Sequence, residues 1–246
     1  MKTILITGAS SGIGQACAER LADKFHLVLT ARNKERLESL STLGTSTKVF
    51  VTDVCQYEQV EEMFKSLDEQ GVFPEIVINA AGLALGLEEI DNGSANDWDC
   101  MINTNIKGLL YVSKFALERM KKHNRGNLIN LGSIAGINTY AKGVVYASTK
   151  AAVKSISDGL RKEVVAHNIK VTNIQPGLVE TNFSNIRFKG DASKAKEAYR
   201  GIQPLSAEDI ANVIEYVINT PDHVQINEIT LTPTHQATVE VIYRNI

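Results

Sequence analysis

The sequence predicts a single α/β domain in which helices flank a doubly wound, seven-stranded parallel sheet. Three observations predict it. Short apolar, β-branched runs alternate with stretches of helical periodicity along the whole chain, and right-handed crossovers turn such alternation into a parallel sheet. The first run is followed at once by a glycine-rich turn and a helical pattern. No repeat, low-complexity run or linker divides the 246 residues, whose 43% hydrophobic and 22% charged content is that of one large globular domain.

Composition narrows the function classes. A net charge of -2 gives no pull toward nucleic acid or an anionic membrane surface. No apolar run reaches the ~18 residues of a membrane span. The first strand-like run begins at Thr3, which leaves no room for a signal peptide. Cys17, Cys55 and Cys100 are scattered, with no C-x-x-C, as expected of reduced thiols in a cytoplasmic protein. Nothing in their spacing suggests a metal site, and inert packing is the expected role.

The elements follow in order. Residues 3–7 form a short apolar strand, and Gly8-Ala-Ser-Ser-Gly12-Ile-Gly14 comes next. Cys17, Ala18, Leu21 and Ala22 then recur at helical spacing. Glycines let the backbone turn sharply and approach a pyrophosphate, and the helix start offers free N–H groups to phosphate. The spacing is G-x-x-x-G-x-G rather than G-x-G-x-x-G, and on its own it also fits an ordinary tight turn. The second strand, 26–31, ends in Ala31-Arg32-Asn33. An acidic residue here would hold the ribose hydroxyls of NAD, whereas Arg32 offers a planar fork to a 2′-phosphate and so favours NADP. The alternative is that Arg32 only opens the next helix, where Lys34 and Arg36 are solvated.

The third strand, 48–52, leads to Asp53-Val54. Asp53 can accept from an adenine amino group or cap the helix over 56–70. The fourth strand, 75–79, runs into Asn79-Ala80-Ala81-Gly82, small enough to bring backbone close to a ribose. The apolar loop 83–87 either lines a pocket or covers the sheet. Trp98, Met101 and Ile102 mark a helix face, and Asn105 falls inside a helical pattern reaching residue 121. Asparagine is a poor interior helix residue, so a polar task is expected, such as bending the helix around a water. The fifth strand, 128–131, delivers Ser133, and a long helix follows to about 167. The sixth strand, 169–175, is stopped by Pro176-Gly177, with Thr181 placed to meet a carboxamide. Residues 182–200 read as polar and irregular, and contain Arg187. Ser206 caps a last helix to 219, residues 224–231 form the last strand, and the tail 232–246 is expected to reach a neighbouring subunit.

The chemistry centres on Tyr146-Ala-Ser-Thr-Lys150. Residues four apart share a helix face. A nearby ammonium would lower the phenol from its usual pKa of about 10, toward proton exchange with an alcohol or carbonyl oxygen. Ser133 could hold the same oxygen. Taken alone, a tyrosine and a lysine at this spacing are common surface residues.

Taken in order, Thr7-Gly-Ala-Ser-Ser-Gly-Ile-Gly14, Asp53, Asn79-Ala-Ala-Gly82, Asn105, Ser133, Tyr146 with Lys150, and Pro176-Gly177 resemble the short-chain dehydrogenase/reductase family over essentially the whole chain. The resemblance implies a single Rossmann-fold domain spanning 1–246, with a substrate lid near 182–202. It implies catalysis by Asn105, Ser133, Tyr146 and Lys150. It implies NADP(H) held by Gly8, Ser10, Ser11, Gly12, Ile13, Gly14, Arg32, Asn33, Asp53, Val54, Asn79, Ala80, Ala81, Gly82, Tyr146, Lys150, Pro176, Gly177, Val179 and Thr181, and assembly as a homotetramer. Ala81-Gly-Leu-Ala-Leu-Gly86, Met101-Ile-x-Thr-Asn105 and Phe183-Ser-Asn-Ile-Arg-Phe-Lys-Gly190 narrow it to the NADP-dependent 3-hydroxy acid dehydrogenases, which act on serine, allo-threonine or malonic semialdehyde. The Asp-Gly-Gly close of many family members is replaced by Thr230-Leu-Thr-Pro-Thr234, which suits that group. The expected substrate is a small 3-hydroxy or 3-oxo acid, held by Ser133, Tyr146 and, through its carboxylate, Arg187. A reductase of 3-oxoacyl groups or dicarbonyls, or a non-catalytic NADP-binding protein, would carry the same fold.

Overall fold

The computed structural model describes residues 1–245. The chain runs β1 (Thr3–Thr7), α1 (Gly12–Leu21), β2 (His26–Ala31), α2 (Lys34–Ser39), β3 (Thr47–Val51), α3 (Tyr57–Glu69) and β4 (Pro74–Asn79). Next come α4 (Ala95–Ile102), a π-turn at Asn103–Gly108, α5 (Leu109–His123), β5 (Gly126–Leu131), α6 (Val144–Val164) and β6 (Ile169–Pro176). The last part holds β7 (Val179–Glu180), α7 (Phe183–Arg187), α8 (Ala192–Glu197), β8 (Leu205–Ser206), α9 (Ala207–Ile218) and β9 (Glu228–Leu231).

Seven strands form one parallel sheet in the order β3-β2-β1-β4-β5-β6-β9. The order reverses between β1 and β4, which opens a crevice beyond their carboxyl ends, the usual ligand position in such sheets. Strand periodicity sets the two faces. Ile4 and Ile6 point to one side, where Cys17, Leu21, Ile210 and Ile214 of α1 and α9 close over them. Leu5, Val28 and Val77 point to the other, against Phe64 of α3, Phe115 of α5 and Val164 of α6. These side chains are essentially inaccessible, and each contributes roughly 2 kcal/mol by leaving water. Cys17 lies in the first core, where burial pushes its thiol up to about 12, an inert state at neutral pH.

Several boundaries differ from expectation. The last strand begins at Glu228, not 224, because the preceding residues serve as partners for others: Gln225 bonds both backbone groups of Val171. The segment 182–200 is not irregular. It folds into α7 and α8, the latter capped by the Asp191 carboxylate. Asp53 does not cap α3, since its carboxylate accepts from the Cys55 N–H in a local turn and Gln56 stands at the cap position. Within the single chain, Gln236 of the tail accepts from the Leu178 N–H, and Arg244 donates to the Ala198 carbonyl behind α8. Residue 246 of the expected tail lies outside the described residues. Among the described residues no helix is long and apolar enough to cross a membrane, and no cluster of side chains could hold a metal.

Candidate active site

The groove is built from loops at the carboxyl ends of β1, β2, β3, β4, β5 and β6. Gly8 has a φ of +65°, and a Cβ there would lie 2.9 Å from the backbone of Ala81, so the first loop rests directly on the fourth. Thr7 fastens the two, its hydroxyl oxygen accepting from the Ala81 N–H at 3.0 Å. Ser11 precedes α1 in extended conformation without capping it through its side chain, which leaves the first-turn N–H groups for an anion.

A cavity of about 360 Å³ opens here. At one end stand Arg32, Asn33 and Arg36; Asp53 and Val54 form a wall, and Ser10, Ser11, Gly12 and Ile13 a floor. Neither guanidinium is paired with a carboxylate among the described residues. A second cavity continues it, sharing Ile13, Ala80, Gly82, Thr181 and Phe183, and ends at Ser133, Tyr146 and Lys150 beside Pro176, Gly177 and Val179. The groove thus runs from two free cations, past helix N–H groups, to a tyrosine: the donor set of an NADP molecule laid along it.

Two expected cofactor residues are not brought to this groove. Gly14 is buried behind the loop, where a Cβ would strike the Gly8 carbonyl at 2.4 Å; its smallness lets α1 pack. Asn79 turns inward and donates to Asn130 at 2.9 Å and Ser113 at 3.3 Å. Arg36 was missed in the sequence, because a lysine- and arginine-rich helix start reads as a solvated face.

At the inner end, Ser133 caps a short 3-10 turn, accepting from the Ala135 N–H at 3.1 Å. Its hydroxyl and that of Tyr146 line one pocket. Lys150 is buried and donates to the Leu131 carbonyl at 2.7 Å. Gly82 gives it room, since a Cβ there would sit 3.4 Å from Lys150 Nζ and 3.3 Å from Asn105 Oδ1. Asn105 occupies the π-turn. Its amide accepts from the Leu83 N–H at 2.9 Å and donates to the Leu83 carbonyl at 2.8 Å and to Thr149 at 3.0 Å. The polar task expected of this asparagine thus includes three bonds to protein partners, made from within a π-turn.

The electrostatics also depart from expectation. Burial pushes the Tyr146 phenol up to about 12, and the Ser133 hydroxyl and the Arg187 charge offset this only in part. Lys150 is drawn down to about 8 by its own burial. Its Nζ stands 5.9 Å from the Tyr146 ring centre and is turned to a carbonyl. Desolvation outweighs the acidifying effect expected from the helical neighbour.

Above the tyrosine lies α7. Phe183 packs edge-on against Tyr146 at 5.7 Å, and Arg187 places its guanidinium carbon 5.7 Å from the same ring centre. Lys189, Lys194 and Arg200 of this segment each pair with a carboxylate; Arg187 pairs with none among the described residues.

The parallel sheet, its switch-point groove and a constellation of half-buried Ser133 and Tyr146 with buried Lys150 define a nucleotide-dependent oxidoreductase. The chain belongs to the short chain dehydrogenase family, whose model matches residues 2–191. It is 42% identical to the NADP-dependent 3-hydroxy acid dehydrogenase YdfG of Salmonella typhi over 237 residues, covering 95% of this chain and 96% of that one. It is 37% identical to an NADP-dependent 3-hydroxy acid dehydrogenase of Schizosaccharomyces pombe, covering 99% and 96%. Its fold matches the closed form of serine dehydrogenase complexed with NADP+ with a TM-score of 0.94 and 38% identity, covering 99% of this chain and all of that one. The protein is an NADP-dependent oxidoreductase acting on CH–OH groups.

Proposed function

We propose that the substrate is a small 3-hydroxy or 3-oxo acid, with reaction at its third carbon. The observation that carries this is Arg187: a half-buried guanidinium over the Tyr146 ring that pairs with no carboxylate among the described residues. The names of the relatives point the same way. NADP(H), when bound, supplies or receives the hydride. The chain's own residues do the rest. Tyr146 gives a proton to the substrate oxygen in reduction and takes it in oxidation, and Ser133 holds that oxygen. Lys150 holds the nicotinamide ribose, and Asn105 fixes the Leu83 backbone and Thr149 around them. Arg32 and Arg36 receive the 2′-phosphate, Asp53 and Val54 the adenine end, and Thr181 the carboxamide. A phenol raised to about 12 by burial holds its proton at neutral pH, the state needed to protonate a carbonyl oxygen.

Residues 182–202 act as the substrate lid in this reading, and the enzyme works in the cytoplasm as a homotetramer. Arg187→Ala tests the substrate class. The expected result is a KM for malonic semialdehyde or 3-hydroxypropionate raised by roughly 10- to 100-fold, as for a lost charged hydrogen-bond pair, with NADPH affinity unchanged. An unaltered KM removes the carboxylate reading and favours a different carbonyl class.

A further inference from the structure

Arg187 is held as well as placed. The loop after β4 and the lid exchange two bonds, the Gly86 N–H donating to the Arg187 carbonyl at 3.0 Å and Arg187 Nε donating to the Gly86 carbonyl at 3.3 Å. A third contact comes from the loop between β5 and α6. Arg187 Nη2 donates to the Tyr140 hydroxyl oxygen at 2.5 Å, and its guanidinium carbon lies 5.5 Å from that ring centre. Nε and one Nη2 hydrogen are thus committed to the protein. Both Nη1 hydrogens and the second on Nη2 are left, which is the end-on fork that takes both oxygens of a carboxylate.

Tyr140 has its own seat. Its ring folds back over Gly143, where a Cβ would fall 2.1 Å from ring carbons. Gly143 stands at the cap position of α6, with an ordinary φ of -110°, three residues before Tyr146. The bare backbone of Gly143 therefore sets where the Tyr140 oxygen lies, and that oxygen sets the azimuth of the guanidinium over the reacting tyrosine.

We propose that Tyr140 is a positioning residue for substrate specificity: its hydroxyl fixes the Arg187 fork above Tyr146 and so sets affinity for the substrate carboxylate without entering the chemical step. This rests on Arg187 being the carboxylate receptor. An Arg left on Gly86 alone keeps its charge but loses its direction, so bidentate capture weakens more than long-range attraction does.

The experiment compares Tyr140→Phe, Gly143→Ala and Arg187→Ala. Each is assayed by NADPH absorbance with malonic semialdehyde and with propanal, which has no carboxylate, and NADPH affinity is followed by fluorescence. Tyr140→Phe is expected to raise KM for the acid by about tenfold, the usual consequence of deleting one hydrogen bond to a charged group. Its kcat stays close to that of the parent, and both the propanal kinetics and NADPH affinity are unchanged. Gly143→Ala, which pushes the ring aside without altering either partner, is expected to raise KM for the acid in the same way. Adding Tyr140→Phe to Arg187→Ala is expected to change nothing further, because the two act through one interaction. A raised KM in Arg187→Ala with an unchanged KM in Tyr140→Phe overturns the positioning role and leaves the carboxylate reading intact. An unchanged KM in Arg187→Ala overturns both. A fall in kcat for propanal in Tyr140→Phe also overturns the proposal, because it places Tyr140 in the proton transfer.

Discussion

Lys150 is buried to 6% exposure with one carbonyl as its hydrogen-bond acceptor. A lysine so placed is kept at a cost in stability. Its pKa is drawn from 10.5 to about 8, so below pH 8 the folded state carries a charge that it disfavours by up to about 3 kcal/mol relative to the unfolded chain. The sign follows directly. Between about pH 8 and 10.5 the unfolded state binds the extra proton, so the penalty fades as pH rises through that window. Lys150→Met is therefore expected to be more stable than the parent at pH 7, by up to about 3 kcal/mol in urea unfolding, with turnover lost and the gap closing by pH 10.5. A variant less stable than the parent at pH 7 would show that the ammonium is fully compensated where it lies. At this scale the sequence placed Tyr146 and Lys150 on one helix face, and the structure keeps them there. It did not reveal that the ammonium would turn to Leu131, because that contact joins residues 19 apart across a strand end. Nor did it reveal Tyr140, whose partner Arg187 is 47 positions away.

Among the elements, legibility tracks periodicity. The first six strands are runs of Ile, Leu and Val bounded by turn residues, and their observed limits fall within two residues of the expected ones. Ser206 announced α9, and the structure shows the reciprocal cap with Asp209. Helices α7 and α8 span five and six residues, too short for an apolar stripe to repeat, so they read as loop. Asn105 was legible as a misfit in its helix, but its partners were not, because the Leu83 backbone lies 22 positions earlier. The asparagine lies within the π-turn, and its one amide satisfies both backbone groups of Leu83. Asn105→Ala removes three buried hydrogen bonds and leaves the Leu83 groups unpaired, so a loss of roughly 2–4 kcal/mol is expected. The Leu83 amide should exchange with deuterium markedly faster in the variant. Unchanged protection there would mean that this asparagine does not hold the loop.

Across the whole molecule, the fold explains why separate loops meet. A parallel sheet sends the carboxyl end of every strand to the same edge, and the reversal between β1 and β4 splits the helices above it. Into that split project the guanidiniums after β2, the glycine turn after β1, the alanines after β4, Ser133 after β5 and Thr181 beyond β6. The tail fastens to the segment beyond β6, with Gln236 accepting from the Leu178 N–H and Arg244 donating to the Ala198 carbonyl. The central claim is that this assembly exists to let one half-buried phenol exchange a proton with a substrate oxygen beside NADP. Tyr146→Phe tests it most directly, with NADPH oxidation measured against malonic semialdehyde and NADPH affinity measured separately by fluorescence. A fall in kcat of roughly 10²- to 10⁴-fold, with NADPH bound as tightly as by the parent, is the predicted result. Turnover preserved without the hydroxyl would contradict the account.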